Sequence, residues 1–184
     1  MRRSFSAAVA LAAGLMATQA SAFERQHHVG GALAASWLKV TAKDTLSSGL
    51  GGELHYTYGL SDAFNLMVEA GYAQVALEES SGKGITNNRP TAMAHAGAGV
   101  AYVLDVLRWV PYFGVLAEGY GYVGGNLASP RAAGGLAVAA GLDYAISRSL
   151  AVGVAFREHF ALTALGDYPT CTQALLRAEY VWGW

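Results

Sequence analysis

The chain has 184 residues, of which 53% are hydrophobic and 14% charged, and its formal net charge is −1. This length suits one domain, and the lack of a positive excess excludes the charge pattern expected of a nucleic-acid-binding protein. Hydrophobic content alone would suit a bundle of buried helices. Glycines are however scattered through the periodic segments after residue 22, where they would weaken helices, and no apolar run there is long enough for a helical span. We therefore expect strands.

The first 22 residues have the pattern of a cleaved export signal. Arg2 and Arg3 give a positively charged start, a mostly apolar stretch comes next, and Ala20-Ser21-Ala22 forms a small-residue cleavage site. The apolar stretch is shorter than the roughly 20 residues that a membrane-spanning helix needs. We predict that residues 1–22 are a signal peptide and that residues 23–184 form one domain. Loss of the two arginines changes the net charge from −1 to −3.

Eight later segments place apolar side chains at every second position, which is the period of a β-strand. In chain order they are residues 29–40, 50–60, 64–77, 92–105, 109–123, 134–145, 150–164 and 173–184. The connections between them alternate between longer and tight, as in barrels with extracellular loops and periplasmic turns. The sequence therefore predicts an all-β fold, an eight-stranded antiparallel up-and-down transmembrane β-barrel with both termini in the periplasm.

Successive side chains of a strand point to opposite faces of the sheet, so odd and even positions face different sides. This parity separates a lipid-facing set of side chains from a lumenal set. In the last segment the outward positions are apolar or aromatic, because lipid cannot satisfy polar groups, and the charged side chains take the other parity. The inward charged residues and histidines are Glu53, His55, Glu69, His95, Glu118, Asp143, Arg157, His159, Arg177 and Glu179. Lys39 and Glu158 take the outward parity near the extracellular ends, where charge costs little. Since side chains fill the interior of an eight-stranded barrel, we predict a lumenal charge network and exclude a wide pore.

Aromatic residues are predicted to form two girdles at the membrane boundaries, where one side of the ring is apolar and the other wet. The periplasmic set is Tyr58, Phe64, Tyr102, Trp109, Tyr144, Trp182 and Trp184, and the opposite set is Trp37, Tyr72, Tyr122 and Phe160.

Three short segments rich in glycine and aromatic residues resemble those of a known protein family. The stretches 97–102, 110–115 and 141–144 resemble the small outer-membrane β-barrel domain family that includes OmpA- and OmpX-type barrels. The terminal Tyr180, Trp182 and Trp184 are similar to the signal by which the barrel-assembly machinery recognises its substrates, although phenylalanine is the commoner last residue there. The resemblance implies insertion into the outer membrane of a Gram-negative bacterium after export. Its implied partners are outer-membrane lipid and the assembly machinery.

The function that this architecture suggests is a structural or surface-interaction role. The inward positions include five acidic residues but only two arginines. This acidic excess makes a narrow proton- or cation-responsive passage an alternative function. A soluble periplasmic carrier similar to lipocalins is the other alternative, because it also has eight strands but reverses the polarity of its faces.

Enzymatic, metal and cofactor functions are not expected. Lipid A deacylases, which are also eight-stranded barrels, have a His-x-Ser arrangement, whereas alanine and glycine follow His95 and phenylalanine and alanine follow His159. The inward histidines His55, His95 and His159 come from three different strands without short ligand spacing, so we expect no metal site. The single cysteine, Cys171, cannot form an internal disulfide and is predicted to face outward in an extracellular turn.

Overall fold

The computed structural model describes residues 24–41, 45–75, 89–104 and 106–183. The predicted signal peptide at 1–22 and the last residue, Trp184, lie outside the described residues. Within the described part, no helix is long and apolar enough to cross a membrane.

The described residues form eight antiparallel strands that close into a barrel, which confirms the predicted fold class. The strands are β1 (His27–Val40), β2 (Thr45–Gly59), β3 (Phe64–Gln74), β4 (Ala92–Val103), β5 (Trp109–Val123), β6 (Arg131–Ala145), β7 (Leu150–Phe160) and β8 (Thr170–Trp182). Each strand pairs with its neighbours in the chain, and β1 pairs with β8. Closure leaves no strand edge unpaired, as a spanning sheet requires.

Several strand boundaries differ from the predicted ones, most of all the start of β2 and the end of β7. β2 begins at Thr45 because Ser47, Ser48 and Gly49, which look like turn residues, pair with the end of β1. β7 ends at Phe160 because Leu162–Ala164 forms a short 3-10 helix. Ladder hydrogen bonds from a partner strand thus override the local preference of serine and glycine for turns.

The outer face of the barrel is apolar, as the parity argument predicts. Leu33, Leu54 and Leu176 are 73%, 72% and 64% exposed, although leucine is a residue that water would drive inward. A soluble carrier would show polar side chains on this face, so the lipocalin-like alternative does not fit. Lys39 is exposed at the end of β1 near the longer loops, and Glu158 is half-buried one residue before His159.

Aromatic side chains cluster outside the barrel at the end with the short turns. Phe64 packs against Tyr102 with ring centroids 5.4 Å apart, and Trp109 packs against Tyr144 at 4.8 Å. At the opposite end the predicted girdle is wrong for one member, since Tyr122 is only 1% exposed. Tyr122 has the inward parity of Glu118 on β5, and its ring therefore lies in the lumen.

Removal of residues 1–22 stays a prediction. We expect the protein isolated from outer membranes to begin at Phe23, since small residues precede that position. Intact-mass measurement and N-terminal sequencing check the site. Replacing Ala22 with arginine should leave an uncleaved precursor, whereas replacing Gln19 with alanine should not. A mature chain that begins elsewhere would contradict the predicted boundary.

Candidate functional site in the barrel lumen

The lumen has three layers along the barrel axis. At the end with the longer loops lies an apolar layer, which we call the mouth cluster. Its buried residues are Leu38, Val40, Ala73, Val75, Met93, Tyr120, Tyr122, Ala161, Tyr168 and Cys171. A layer of charged and hydrogen-bonding side chains follows, and a cavity lies at the end with the short turns.

The structure places all ten residues of the predicted charge network inside the barrel. None of the ten is more than 7% exposed. Their burial follows from parity, because an inward position of a closed barrel has no route to solvent except along the axis. Buried charges at this density require close partners.

Arg177 is the centre of the half of the network that faces the cavity. Its guanidinium donates to the Tyr112 hydroxyl and to the Glu179 carboxylate, and its Nε lies 3.4 Å from Asp143 Oδ1. Glu179 also lies 2.9 Å from His55 Nε2. Each side chain of this half therefore has an oppositely charged or hydrogen-bonding neighbour.

Arg157 is the centre of the other half. Its Nη2 lies 3.2 Å from Glu69 Oε2 and 3.9 Å from Glu53 Oε1, and its Nη1 donates to the Tyr112 hydroxyl at 3.3 Å. Tyr112 thus accepts from both arginines, and its ring lies 5.8 Å below the Arg157 guanidinium. A tyrosine shared in this way joins the two halves into one network.

The network ends toward the mouth cluster in a pair of histidines. His159 Nδ1 lies 2.7 Å from Glu118 Oε2. The His159 ring is tilted against the His95 ring, with centroids 4.7 Å apart. His95 Nε2 in turn lies 3.9 Å from Glu53 Oε2. Residues from β2, β4, β5 and β7 therefore meet in the middle of the lumen.

Two members of the network were missed by the sequence reasoning. Tyr112 has the parity of Glu118 on β5, so parity places it inward, but only the structure shows that it binds both arginines. His28 belongs to β1, with its Nδ1 3.2 Å from Glu179 Oε2, because β1 begins two residues before the predicted start.

Inward glycines make room for pairs that meet across an intervening strand. Gly30 pairs with Glu179 on one side and with His55 on the other. Side chains on alternate strands start roughly 9–10 Å apart, twice the strand spacing, so they meet only over a small residue. A Cβ at Gly30 would lie 2.5 Å from His55 Nε2. Glycine at this position therefore permits the His55–Glu179 contact.

The loop after β7 folds into the barrel mouth. Tyr168 is 1% exposed, and its ring centroid lies 4.3 Å from that of Tyr122. Asp167 anchors the loop, since its side chain accepts from Arg131 Nη1 at 2.5 Å and its carbonyl from the Thr41 amide at 3.0 Å. Burial raises the pKa of Tyr168 above its ordinary value.

The predicted outward position of Cys171 is wrong. The thiol is 2% exposed and belongs to the mouth cluster. The reason is that β8 begins at Thr170, so Cys171 is already an inward strand position and not part of a turn. A thiol enclosed in this way is inert toward partners outside the barrel.

The cavity at the short-turn end has a volume of about 490 Å³. Its walls include the apolar side chains of Met67, Val103 and Val181, and its polar lining includes Arg177 and Asp143. No residue of the mouth cluster lines it. Among the described residues the cavity is therefore confined to the half of the lumen below the mouth cluster.

The closed antiparallel barrel, its apolar exterior and its charged lumen define the class of small outer-membrane barrels. A family model, the outer membrane protein beta-barrel domain, matches residues 5–175. The chain therefore belongs to this family, as the resemblance in its sequence indicated. It is a protein of the Gram-negative outer membrane, whose lipid surrounds its apolar face.

Solved structures of other outer-membrane proteins share the fold. Neisserial surface protein A has a TM-score of 0.62 at 14% identity, with 86% of this chain and 97% of that chain covered. Ail, the attachment invasion locus protein of Yersinia pestis, has a TM-score of 0.57 at 15% identity, with 87% and 100% covered. OprG of Pseudomonas aeruginosa has a TM-score of 0.59 at 11% identity, with 88% and 98% covered. At these identities the likeness is one of fold. A comparison with characterised protein sequences gave no match.

Proposed function

We propose that the protein is a non-conducting outer-membrane barrel with a structural or surface-interaction role. The observation that carries this proposal is the filling of the lumen by paired charges and by the mouth cluster. Ions crossing the barrel would have to displace Arg157 and Arg177 from their carboxylates and then pass an apolar layer. Neither step is favourable in a poorly hydrated interior.

The alternative of a narrow proton- or cation-responsive passage rests on the acidic excess of the lumen. Against it, the axis at the long-loop end is occupied by the rings of Tyr122 and Tyr168, which lie in contact. The charged groups below are held by one another and by Tyr112. A filled lumen favours a structural role for the barrel wall, and specific binding is then expected in the loops that the wall presents.

An enzymatic role is not part of the proposal. Glu158 and His159 are adjacent in sequence but point to opposite faces. Glu158 accepts from the Thr172 hydroxyl at 2.6 Å, whereas His159 contacts Glu118 in the lumen. These two side chains therefore cannot act together as an acid-base pair on one surface.

A surface role is supported by what one structural relative binds. Ail has been crystallised in complex with the heparin analogue sucrose octasulfate, and that structure has a TM-score of 0.59 at 14% identity. Sulfated sugars are therefore a reasonable class of ligand to offer to the loop end of this barrel. Arg131 lies at that end, with its side chain 41% exposed beside Asp167.

Planar-bilayer recording tests the proposal. We expect the folded barrel to give no current steps above the lipid baseline, with sodium, potassium or protons as the main cation, because paired charges and the mouth cluster fill the lumen above the cavity. The variant Tyr168→Ala should also be silent, since the charge network below it remains. Folding is verified by the mobility of the protein in SDS, which should change only on boiling, and insertion by recovery of the protein with vesicles of the same lipid on flotation. Steps that depend on pH or on the cation would overturn the proposal and favour the passage.

A further inference from the structure

We propose that Glu53, Glu69 and His95 form a binding site for one divalent transition-metal ion of the zinc class, in the middle of the lumen. The inference goes beyond the proposed function and holds whether or not the barrel conducts. One ligand atom from each of the three side chains lies within 4.8 Å of the others. The three residues are on the adjacent strands β2, β3 and β4 and are 4%, 2% and 4% exposed.

Unpartnered buried atoms point into this site. Glu53 Oε2 and both ring nitrogens of His95 have no hydrogen-bond partner. Glu53 Oε2 and His95 Nε2 face each other at 3.9 Å, which is too long for a hydrogen bond. A buried polar group without a partner is costly, so nearly all such groups in proteins are satisfied. A cation between the carboxylate and the imidazole satisfies both atoms at once.

The strand register builds this arrangement. Gly71 on β3 pairs with Glu53 on β2 and with His95 on β4. A Cβ at Gly71 would lie 2.5 Å from His95 Nε2, so glycine is what allows the imidazole to reach across β3 toward Glu53. Glu69 lies two residues earlier on β3 with the same inward parity.

One neighbour of the three residues is itself a cation. Arg157 contacts both oxygens of Glu69 and lies 3.9 Å from Glu53 Oε1, but a carboxylate has about four lone-pair positions and can serve an arginine and a metal together. His55 Nδ1 lies 3.7 Å from Glu53 Oε1, and the His159 ring packs against His95. These side chains pack beside Glu53 and His95 and limit the space into which the two ligands can turn. The five lumenal acids against two arginines leave negative charge for a dication to offset.

The donor set of one imidazole and two carboxylates selects the metal. Nitrogen and oxygen ligands of zinc lie at about 2.0–2.2 Å from the ion, so ligand atoms of a tetrahedral site are about 3.4 Å apart. Closing the present distances to that value takes movements of roughly 1 Å by the side chains. The sequence argument against a metal considered histidines alone. It could not show that two carboxylates lie beside His95.

Metal binding is tested on the mature chain purified without a histidine tag, folded in detergent and treated with a chelator. Zn²⁺ and Co²⁺ are the probes, with bound metal counted by elemental analysis after gel filtration and Co²⁺ followed by its visible absorption. We expect one ion per chain and no displacement by excess Mg²⁺, because imidazole favours transition metals. His95→Ala and Glu53→Gln should each weaken binding at least tenfold, since even residues around ligands contribute about 10–100-fold.

The controls are another histidine and another carboxylate of the same lumen. His28→Gln and Asp143→Asn should bind as the unmodified chain does. If a ligand variant does not fold, NMR of the unmodified chain with Co²⁺ decides. Paramagnetic broadening should centre on the amides of Gly71, which pairs with Glu53 and His95, and of Gly97, which pairs with Glu69. Absence of stoichiometric metal, equal binding by the ligand variants, or broadening centred on His27 would each overturn the proposal.

Discussion

Replacing Arg157 with leucine is expected to lower the free energy of unfolding by about 3–5 kcal/mol, the range for breaking a buried ion pair by removing one partner. The Arg157 side chain is 1% exposed and those of Glu69 and Glu53 are 0% and 2% exposed. The substitution leaves both carboxylates without their arginine and removes a donor to Tyr112. Urea titration of the barrel in phospholipid vesicles, read by mobility in SDS without boiling, measures the loss.

Two further variants separate charge pairing from simple loss of packing. Arg131→Leu removes an arginine whose ion pair with Asp167 is 41% exposed on both sides, and it should cost less than about 1 kcal/mol. The double variant Glu69→Gln with Arg157→Leu should cost less than the sum of the single losses, because the first change removes the carboxylate that the second would strand. Additive losses would contradict the view that Arg157 acts through its pairing with Glu69.

The fold could be predicted from the sequence because its two strongest constraints are local. A period of two with one mostly apolar face specifies both the strand and the side that meets lipid. Alternating connection lengths then specify an up-and-down order. Strand ends were harder to place. Ser47 and Gly49 belong to β2 because β1 offers them ladder partners, and this is a nonlocal fact that composition does not carry.

Parity reveals which residues are inward but not which of them meet. The His55–Glu179 contact joins residues 124 positions apart and depends on Gly30, which lies between them in the barrel wall. Tyr112 is one of several inward residues on β5, and its role depends on where Arg157 and Arg177 reach. Which inward side chains meet depends on the register of all eight strands around the closed sheet, and the pattern of one strand does not specify that register.

The mouth of the barrel was predicted least well. Tyr168 follows a short 3-10 helix, and no alternation marks it as inward. The side chain turns into the lumen because Asp167 is held by Arg131 and by the Thr41 amide. The prediction for Cys171 was wrong because the local sequence does not mark the start of β8. That strand begins two residues after Tyr168, in a Pro-Thr stretch that resembles a turn.

Placing arginine at Val115 is expected to lower the free energy of unfolding by about 2–4 kcal/mol, the range for a cation on the lipid face at the bilayer midplane. Val115 is 51% exposed in the middle of β5, and it pairs with the equally outward Val100 and Val138 on β4 and β6. A guanidinium there has only hydrocarbon around it. Urea titration of the variant in phospholipid vesicles measures the effect.

Val123 provides the matched control on the same strand and the same face. It is 41% exposed at the last position of β5, beside the longer loops, so arginine there should cost only about 0–1 kcal/mol because the side chain reaches the interface. The depth dependence is what distinguishes lipid contact from a general intolerance of the wall to arginine. Equal losses at both positions would show that hydrocarbon does not cover the middle of this face. A larger loss at Val115 than at Val123 follows only if the apolar band spans the bilayer.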